Sequence, residues 1–208
     1  PPRSTPKPSS AASDVYKRQI YCYGDCTMST LITTTAQIGT IKDAGGNNTA
    51  MTIDSTGRVL SPARPAFHAY GTGGWTIFSN GAWTQIVMNA TPSLNIGGHY
   101  DKINSKFVAP VAGVYHFYYK LYGRVQSGGA DSTYWQSRLQ KNGSAITGYS
   151  SMLMAYYYNV GGRDETATDS MTVQLAANDE ITLHAQSAGS HNGEFYGPNC
   201  VMGGHLLG

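Results

Sequence analysis

The side chains able to do chemistry in this chain are scattered rather than assembled. Six histidines, His68, His99, His116, His184, His191 and His205, lie far apart. None belongs to an HExxH pair, which would set two imidazoles on one helical face for zinc. Gly148-Tyr149-Ser150 offers a serine but lacks the second glycine and the following helix of a nucleophile elbow. Gly71-Thr72-Gly73-Gly74 precedes Trp75 in a strand-like context and reads as a loop, not as a phosphate cradle. Asp131, Asp164, Glu165, Asp169 and Glu194 include enough carboxylates for a glycosidase pair, yet no spacing singles out two of them. Acids on solvated loops are the simpler reading. Cys22 and Cys26 form a CxxxC, weak evidence for a disulfide or a metal without further ligands, and Cys200 reads as a buried free thiol. No catalytic residue is assigned, and the expectation is a protein that is not an enzyme.

What the sequence does organise is a sheet. In NIGGHYDKINSKFVAPVAGVYHFYY, from Asn95 to Tyr119, the aromatics from Tyr115 onward fall on every second residue, the period of a strand with one buried face. Pro110 stops the preceding strand, and Gly113 hands the chain into the next one. Over Val114–Val125, Tyr115, Phe117, Tyr119 and Leu121 alternate with His116, Tyr118, Lys120 and Tyr122. The first set is core. The second is aromatic and polar, a composition that suits a subunit interface better than open water. Trp135 to Gln140, an Asn142-Gly143 turn and Ala145 to Tyr149 read as a hairpin. Strands are expected at Met152–Tyr158, Thr166–Leu175, Ile181–Ala185 and Val201–Leu207, and no segment has a helical period. Tyr156, Tyr157 and Tyr158 are consecutive, so at least one leaves the core face, where it suits sugar stacking or protein contact. The fold class is all-β, a two-sheet antiparallel jelly-roll sandwich.

Composition removes some functions. Charged residues make up 12% of 208, about half the usual share, and the formal charge is only +2, which argues against a nucleic-acid surface. No run of eighteen apolar residues is present, so no membrane span is expected, and no secretory signal is visible. Residues 1–19 have the Pro, Ser, Lys and Arg composition of a disordered tail. Their portion SSAASDVYKRQ resembles a translated sequencing adapter; on that reading these residues carry no function and the natural protein extends upstream. Residues 20–64 are Thr-rich and Gly-punctuated, with short β-prone pieces at Ile38–Ile41, Ala50–Ile53 and Arg58–Leu60. They hold too few apolar residues for a core of their own and read as a stalk or linker whose strands need neighbouring chains. Residues 65–208 form the jelly-roll domain.

The spacing of Asn95, Tyr100, Phe107, Gly113, Tyr115, Phe117 and Tyr119 resembles the signature of the C1q-like globular head, a domain of the tumour necrosis factor-like superfamily. Pro65-Ala66-Phe67 resembles that family's opening strand. Lys141-Asn142-Gly143 resembles its mid-domain hairpin, and Gly204, Leu206 and Leu207 its closing Gly-x-Leu-Leu. The pattern departs at Asn89, where the family has an aromatic; Ile86, Val87 and Met88 with Trp83 are expected to supply that packing.

The resemblance implies a ten-stranded-type jelly roll that assembles as a homotrimer, with the face of His116, Tyr118, Lys120 and Tyr122 as the candidate interface. It also raises calcium, held in some such heads by loop oxygens; Asp131, in the loop Ser127–Ser132, is the first candidate, and Arg163–Asp169 the other oxygen-rich loop. AMTIDSTGRVL followed by Ser-Pro resembles the segment that precedes head domains in appendage proteins of marine bacteriophages. The expectation is therefore a virion-located tail or head fibre tip that binds a host-surface glycan or protein. The alternatives are a secreted C1q-like lectin or signalling ligand of a cellular organism and, less favoured, a polysaccharide depolymerase.

Overall fold

The computed structural model describes residues 39–42, 45–125, 133–148, 152–157, 164–189 and 191–208. Two antiparallel sheets carry the sandwich. Sheet I is built on Gly113–Val125, which pairs along its length with Glu165–Leu175 on one side. On the other side it pairs with Val201–Leu206 and, further on, with Gly193–Tyr196. Ala66–Tyr70 and then Leu94–Ile96 follow beyond Val201–Leu206, and Trp75–Phe78 follows beyond Gly193–Tyr196. Sheet II is built on Thr133–Lys141 and Glu180–Ala188, flanked by Met152–Tyr157, Ser144–Ala145, Lys106–Val108, Tyr100–Asp101 and Thr84–Gln85. The only helical turn among the described residues is a 3-10 turn at Gly197–Asn199. None is long and apolar enough to cross a membrane.

The alternation in Gly113–Val125 does what its period demands. Tyr115, Phe117, Tyr119 and Leu121 are buried against sheet II, where Trp135, Leu139, Ile181 and Leu183 face them. Phe67 stacks on Tyr100 at 4.9 Å and on Phe107 at 5.0 Å, while Phe107 meets Phe117 edge-on at 5.5 Å. Each buried hydroxyl finds an acceptor, because an unmet one in the core costs about 1–3 kcal/mol: Tyr100 donates to Met88 O, Tyr115 to Val111 O and Tyr119 to Ser137 O. Burial raises the Tyr100 phenol well above its ordinary range and pushes Tyr119 up to about 12. Gly204 lies against the Phe117 ring, where an added Cβ would stand 2.4 Å from Cδ1.

Asn95 closes the loop before the core. Its Nδ2 donates to Tyr100 O and its Oδ1 accepts Tyr100 N, both at 3.0 Å, which fixes a tight turn through Gly97 and Gly98. At the departure from the family pattern, Ile86 and Met88 are fully buried whereas Val87 is exposed, because successive residues of an extended segment face opposite ways. Asn89 accepts from the Thr72 amide and hydroxyl instead of packing.

The hairpin expected up to Tyr149 is shorter than the sequence implies. Asn142 and Gly143 take the positive φ angles of a tight turn, but the return strand is only Ser144–Ala145. Ile146 then tucks into the core and Gly148, at φ 86°, redirects the chain. Trp75–Phe78 and Gly193–Tyr196 pair as strands that no alternation announced. Ahead of the sandwich, Thr40–Lys42, Thr49–Ile53 and Val59–Leu60 form a separate three-stranded antiparallel sheet. Its last turn is held by Asp54, whose carboxylate accepts the Thr56 and Arg58 amides and pairs with Arg58; these bonds lower its pKa to about 2. Ile41, Ile53, Val59 and Leu60 of this sheet remain exposed.

Candidate functional site

Imidazoles, phenols and hydroxyls collect on the outer face of sheet I. Backbone register brings them together from four strands. His116 lies opposite His205 on one side and Thr172 on the other. Tyr118 lies opposite Gly203 and Ser170, and Gly203 in turn opposite His68. Lys120 lies opposite Val201 and Thr168. The face therefore carries three imidazoles, a tyrosine row and a ladder of hydroxyls (Thr166, Thr168, Ser170, Thr172), all exposed on Glu165–Leu175.

Gly203 explains how the centre of this face is shaped. A Cβ there would stand 2.3 Å from Tyr118 Cζ and hydroxyl, so only glycine lets the ring lie across the strand. The Tyr118 hydroxyl reaches His68 Nδ1 at 2.9 Å, spanning the strand between them. Beside that ring a shallow groove of about 600 Å³ is lined by Tyr118, Lys120, Thr168, Asp169, Ser170 and Val201. Lys120 is exposed and has no ion-pair partner among the described residues. Asp169 accepts the Ser170 amide at 2.7 Å. Outside this groove runs the edge of Glu165–Leu175, eleven residues that pair only with Gly113–Val125 among the described strands. Open edges of that length present a row of unpaired amides and carbonyls to any neighbouring chain.

Further along the same face the polar groups are already spent on one another. Tyr122 donates to Asp164 at 2.7 Å. Arg124 pairs with Glu194 at 2.9 Å and with Asp164 at 3.8 Å, and its guanidinium lies 3.9 Å above the Trp75 ring. Tyr196 closes on the same ring at 5.4 Å. Asp164 and Glu194, two of the five acids considered for a glycosidase pair, are thus both turned to one arginine. Sequence reasoning missed this cluster, along with the part played by His68 and His205. The Ala66, His68, Tyr70 alternation was the available signal.

Other expected sites resolve differently. The core signature residues, Asn95, Tyr100, Phe107, Gly113, Tyr115, Phe117, Tyr119 and Gly204, line the interior or its turns, and Leu206 packs half-buried against it. Asp131 and Tyr158 lie outside the described residues, as do the side chains of Tyr156 and Tyr157 and the cysteines Cys22 and Cys26. No group of three or more His, Cys, Asp or Glu among the described residues is placed to hold a metal. Cys200 is fully buried, its thiol donating to Tyr196 O at 3.2 Å, and burial pushes its pKa up to about 11.

Residues 70–207 match the family model of the C1q domain. Among solved structures, the Eiger TNF of S. frugiperda superposes with a TM-score of 0.50 at 14% identity, covering 70% of this chain and 94% of that one. Murine APRIL at pH 5.0 gives a TM-score of 0.50 at 13% identity, over 69% of this chain and 99% of that one. The globular domain of zebrafish complement 1qA gives 0.48 at 15% identity, over 70% and 98%. No curated protein matches the sequence. At such identities the likeness is one of fold.

Proposed function

The chain belongs to the C1q domain family, and from that premise we propose that it is a non-enzymatic recognition protein that works as a homotrimer closed through the outer face of sheet I. One observation carries this reading: a sheet face of tyrosines, imidazoles and hydroxyls, with Lys120 lacking an ion-pair partner among the described residues and an eleven-residue strand edge beside it. Such a face is poor in charge, rich in Tyr and cut by a groove, the composition of an interface core rather than of solvated surface. His116, Tyr118, Lys120 and Tyr122 are its central contacts. Three protomers around one axis would carry three copies of every loop, so weak individual sites act together on a multivalent target.

The target is a host-surface glycan or protein, and the molecule is the tip of a phage tail or head fibre located in the virion. Support comes from the AMTIDSTGRVL segment and from the three-stranded sheet that follows Gly39, whose Ile41, Ile53, Val59 and Leu60 stay exposed as they would in a stalk awaiting neighbouring chains. Tyr156, Tyr157 and Tyr158 are the proposed contact residues and Asp131 the proposed calcium ligand. Light scattering of the full chain at neutral pH tests the assembly: three protomer masses are expected, and a stable monomer overturns it. A glycan array probed with the same protein, with and without EDTA, tests the target and the metal. Flanking phage structural genes support the fibre assignment, whereas an upstream secretory signal points to a secreted ligand. Release of oligosaccharide from host capsule would show an enzyme instead.

A further inference from the structure

The outer face of sheet I gathers three histidines, none of which has a carboxylate partner among the described residues. His116 and His205 face each other across neighbouring strands with ring centroids 5.7 Å apart. His68, on the next strand, is tied to Tyr118. The groups around them can be named strand by strand. Ala66–Tyr70 contributes His68 as its titratable imidazole, with the Tyr70 phenol at its end; Leu94–Ile96 contributes Leu94 and Ile96. Gly113–Val125 contributes Lys120 and the Tyr118 phenol, and Val201–Leu206 contributes His205. Glu165–Leu175 turns Thr168, Ser170 and Thr172 outward, and Thr172 Oγ1 lies 3.3 Å from His116 Nδ1. Burial first, then His116, then Arg64, which precedes the first of these strands, hold the His205 pKa below its ordinary value. Asp169 lines the groove beside Lys120 but lies opposite the core-facing Tyr119 and already accepts the Ser170 amide. At the open end of the face Gly208 O accepts the Val114 amide.

We propose that this histidine trio makes self-association acid-sensitive: the face closes on a second and third copy while the imidazoles are neutral and opens when they take up protons. The inference rests on the homotrimer reading. Protonation would place up to three new positive charges on a face that also carries Lys120 and Arg64, while its described carboxylates further along, Asp164 and Glu194, are taken by Arg124. In the free protomer water screens those charges. In the assembly they would be enclosed, where an unpaired charge loses the water that stabilises it in the free protomer. The separated protomers therefore bind protons that the trimer excludes, and by linkage each excluded proton weakens association about tenfold per pH unit once the free protomer takes it up.

The test is light scattering of the full chain at pH 7.5 and pH 5.0 at equal ionic strength, with circular dichroism recorded at both. At pH 5.0 the fold has already lost part of the stability that His184 of the other sheet contributes, its pKa being lowered from 6.5 to about 4, so the circular dichroism record is what separates unfolding from dissociation. The expected result is a trimer at pH 7.5 and at least about tenfold weaker association at pH 5.0 with the strand signal unchanged. The triple variant H68Q/H116Q/H205Q replaces an interface contact, so it is read at a concentration where it associates at pH 7.5 and only as the ratio of its association at the two values, which should be near one; if it does not fold, His116→Gln alone should shift the dissociation toward lower pH. A wild-type trimer equally tight at pH 5.0 overturns the inference and leaves the trimer reading intact. Dissociation of a folded triple variant in parallel with wild type also overturns it, assigning the effect to other groups. A monomer at pH 7.5 refutes the trimer reading and the inference together.

Discussion

The two sheets of this sandwich treat their outer faces in opposite ways. On sheet II each strand cation is matched within the chain. Arg138 lies 3.8 Å above the Trp83 ring and, with the Gln140 amide turned to satisfy both its ends, bonds Gln140 at 3.0 Å. Lys141 pairs with Asp179 at 2.7 Å, and Lys106 with Glu180. His184 meets the Thr182 hydroxyl at 3.0 Å, and Gln85 donates to the Asn104 and Ser105 carbonyls. Sheet I shares the same core and, among the described residues, leaves Lys120 without an ion-pair partner and the edge of Glu165–Leu175 without a neighbouring strand. Both faces sit on one folded scaffold, so the difference does not arise from stability. A face that completes its own bonds is finished surface; one that does not is surface built for a partner, here argued to be another copy.

The comparison can be broken most sharply at Tyr118. Tyr118→Arg puts a second cation beside Lys120 in the centre of the groove, and central interface residues often cost more than about 2 kcal/mol when lost. The expected outcome is collapse of the light-scattering mass to one protomer with an unchanged circular dichroism spectrum. Trp83→Ala, on the finished face, should do the reverse. Removing the ring from Arg138 should lower fold stability by about 1–2 kcal/mol in urea denaturation and leave the assembled mass as it was.

A smaller effect separates the two faces by pH. Burial first, and Arg138 second, lower the His184 pKa from its ordinary 6.5 to about 4. The unfolded chain therefore binds a proton that the native state refuses between those values. Stability from this group is fully present above about pH 6.5 and is lost as pH falls toward 4. In the monomeric Tyr118→Arg background, His184→Gln should flatten the fall in melting temperature between pH 6.5 and 4, a change of about 1 kcal/mol after discounting for the ring's partial exposure. Asp179→Asn should have the smallest effect. The Lys141 and Asn142 side chains and the Ala176 amide hold that carboxylate at about 2, so its contribution is intact at neutral pH and drains only below the ordinary carboxylate range. A drop of about 2 °C in melting temperature at pH 7, largely gone at pH 2, is expected by differential scanning calorimetry.

The interior was legible because its information is local. Tyr115, Phe117 and Tyr119 alternate within five residues, and Asn95 with Tyr100 closes a turn within six, so period and spacing suffice to place them. The outer alternation of the same strand, His116, Tyr118, Lys120 and Tyr122, was legible for the same reason. Its partners were not. His68 is fifty positions from the Tyr118 it bonds, and His205 joins His116 only through a pairing register that composition does not encode. Gly203 looks like part of a glycine-rich ending until the ring across it is seen. The hairpin after Asn142-Gly143 was overextended because Ala145 to Tyr149 reads as β-prone, whereas Ile146 gains more by entering the core than by continuing the ladder.

Hydroxyl-radical footprinting read by mass spectrometry would test the central claim most directly, comparing wild type with the Tyr118→Arg variant at pH 7.5. The account predicts that His116, His205 and Tyr122 are several-fold less reactive in wild type, while Trp83 on the finished face reacts equally in both. Equal reactivity of the histidines in the two proteins, or protection at Trp83 instead, would contradict it.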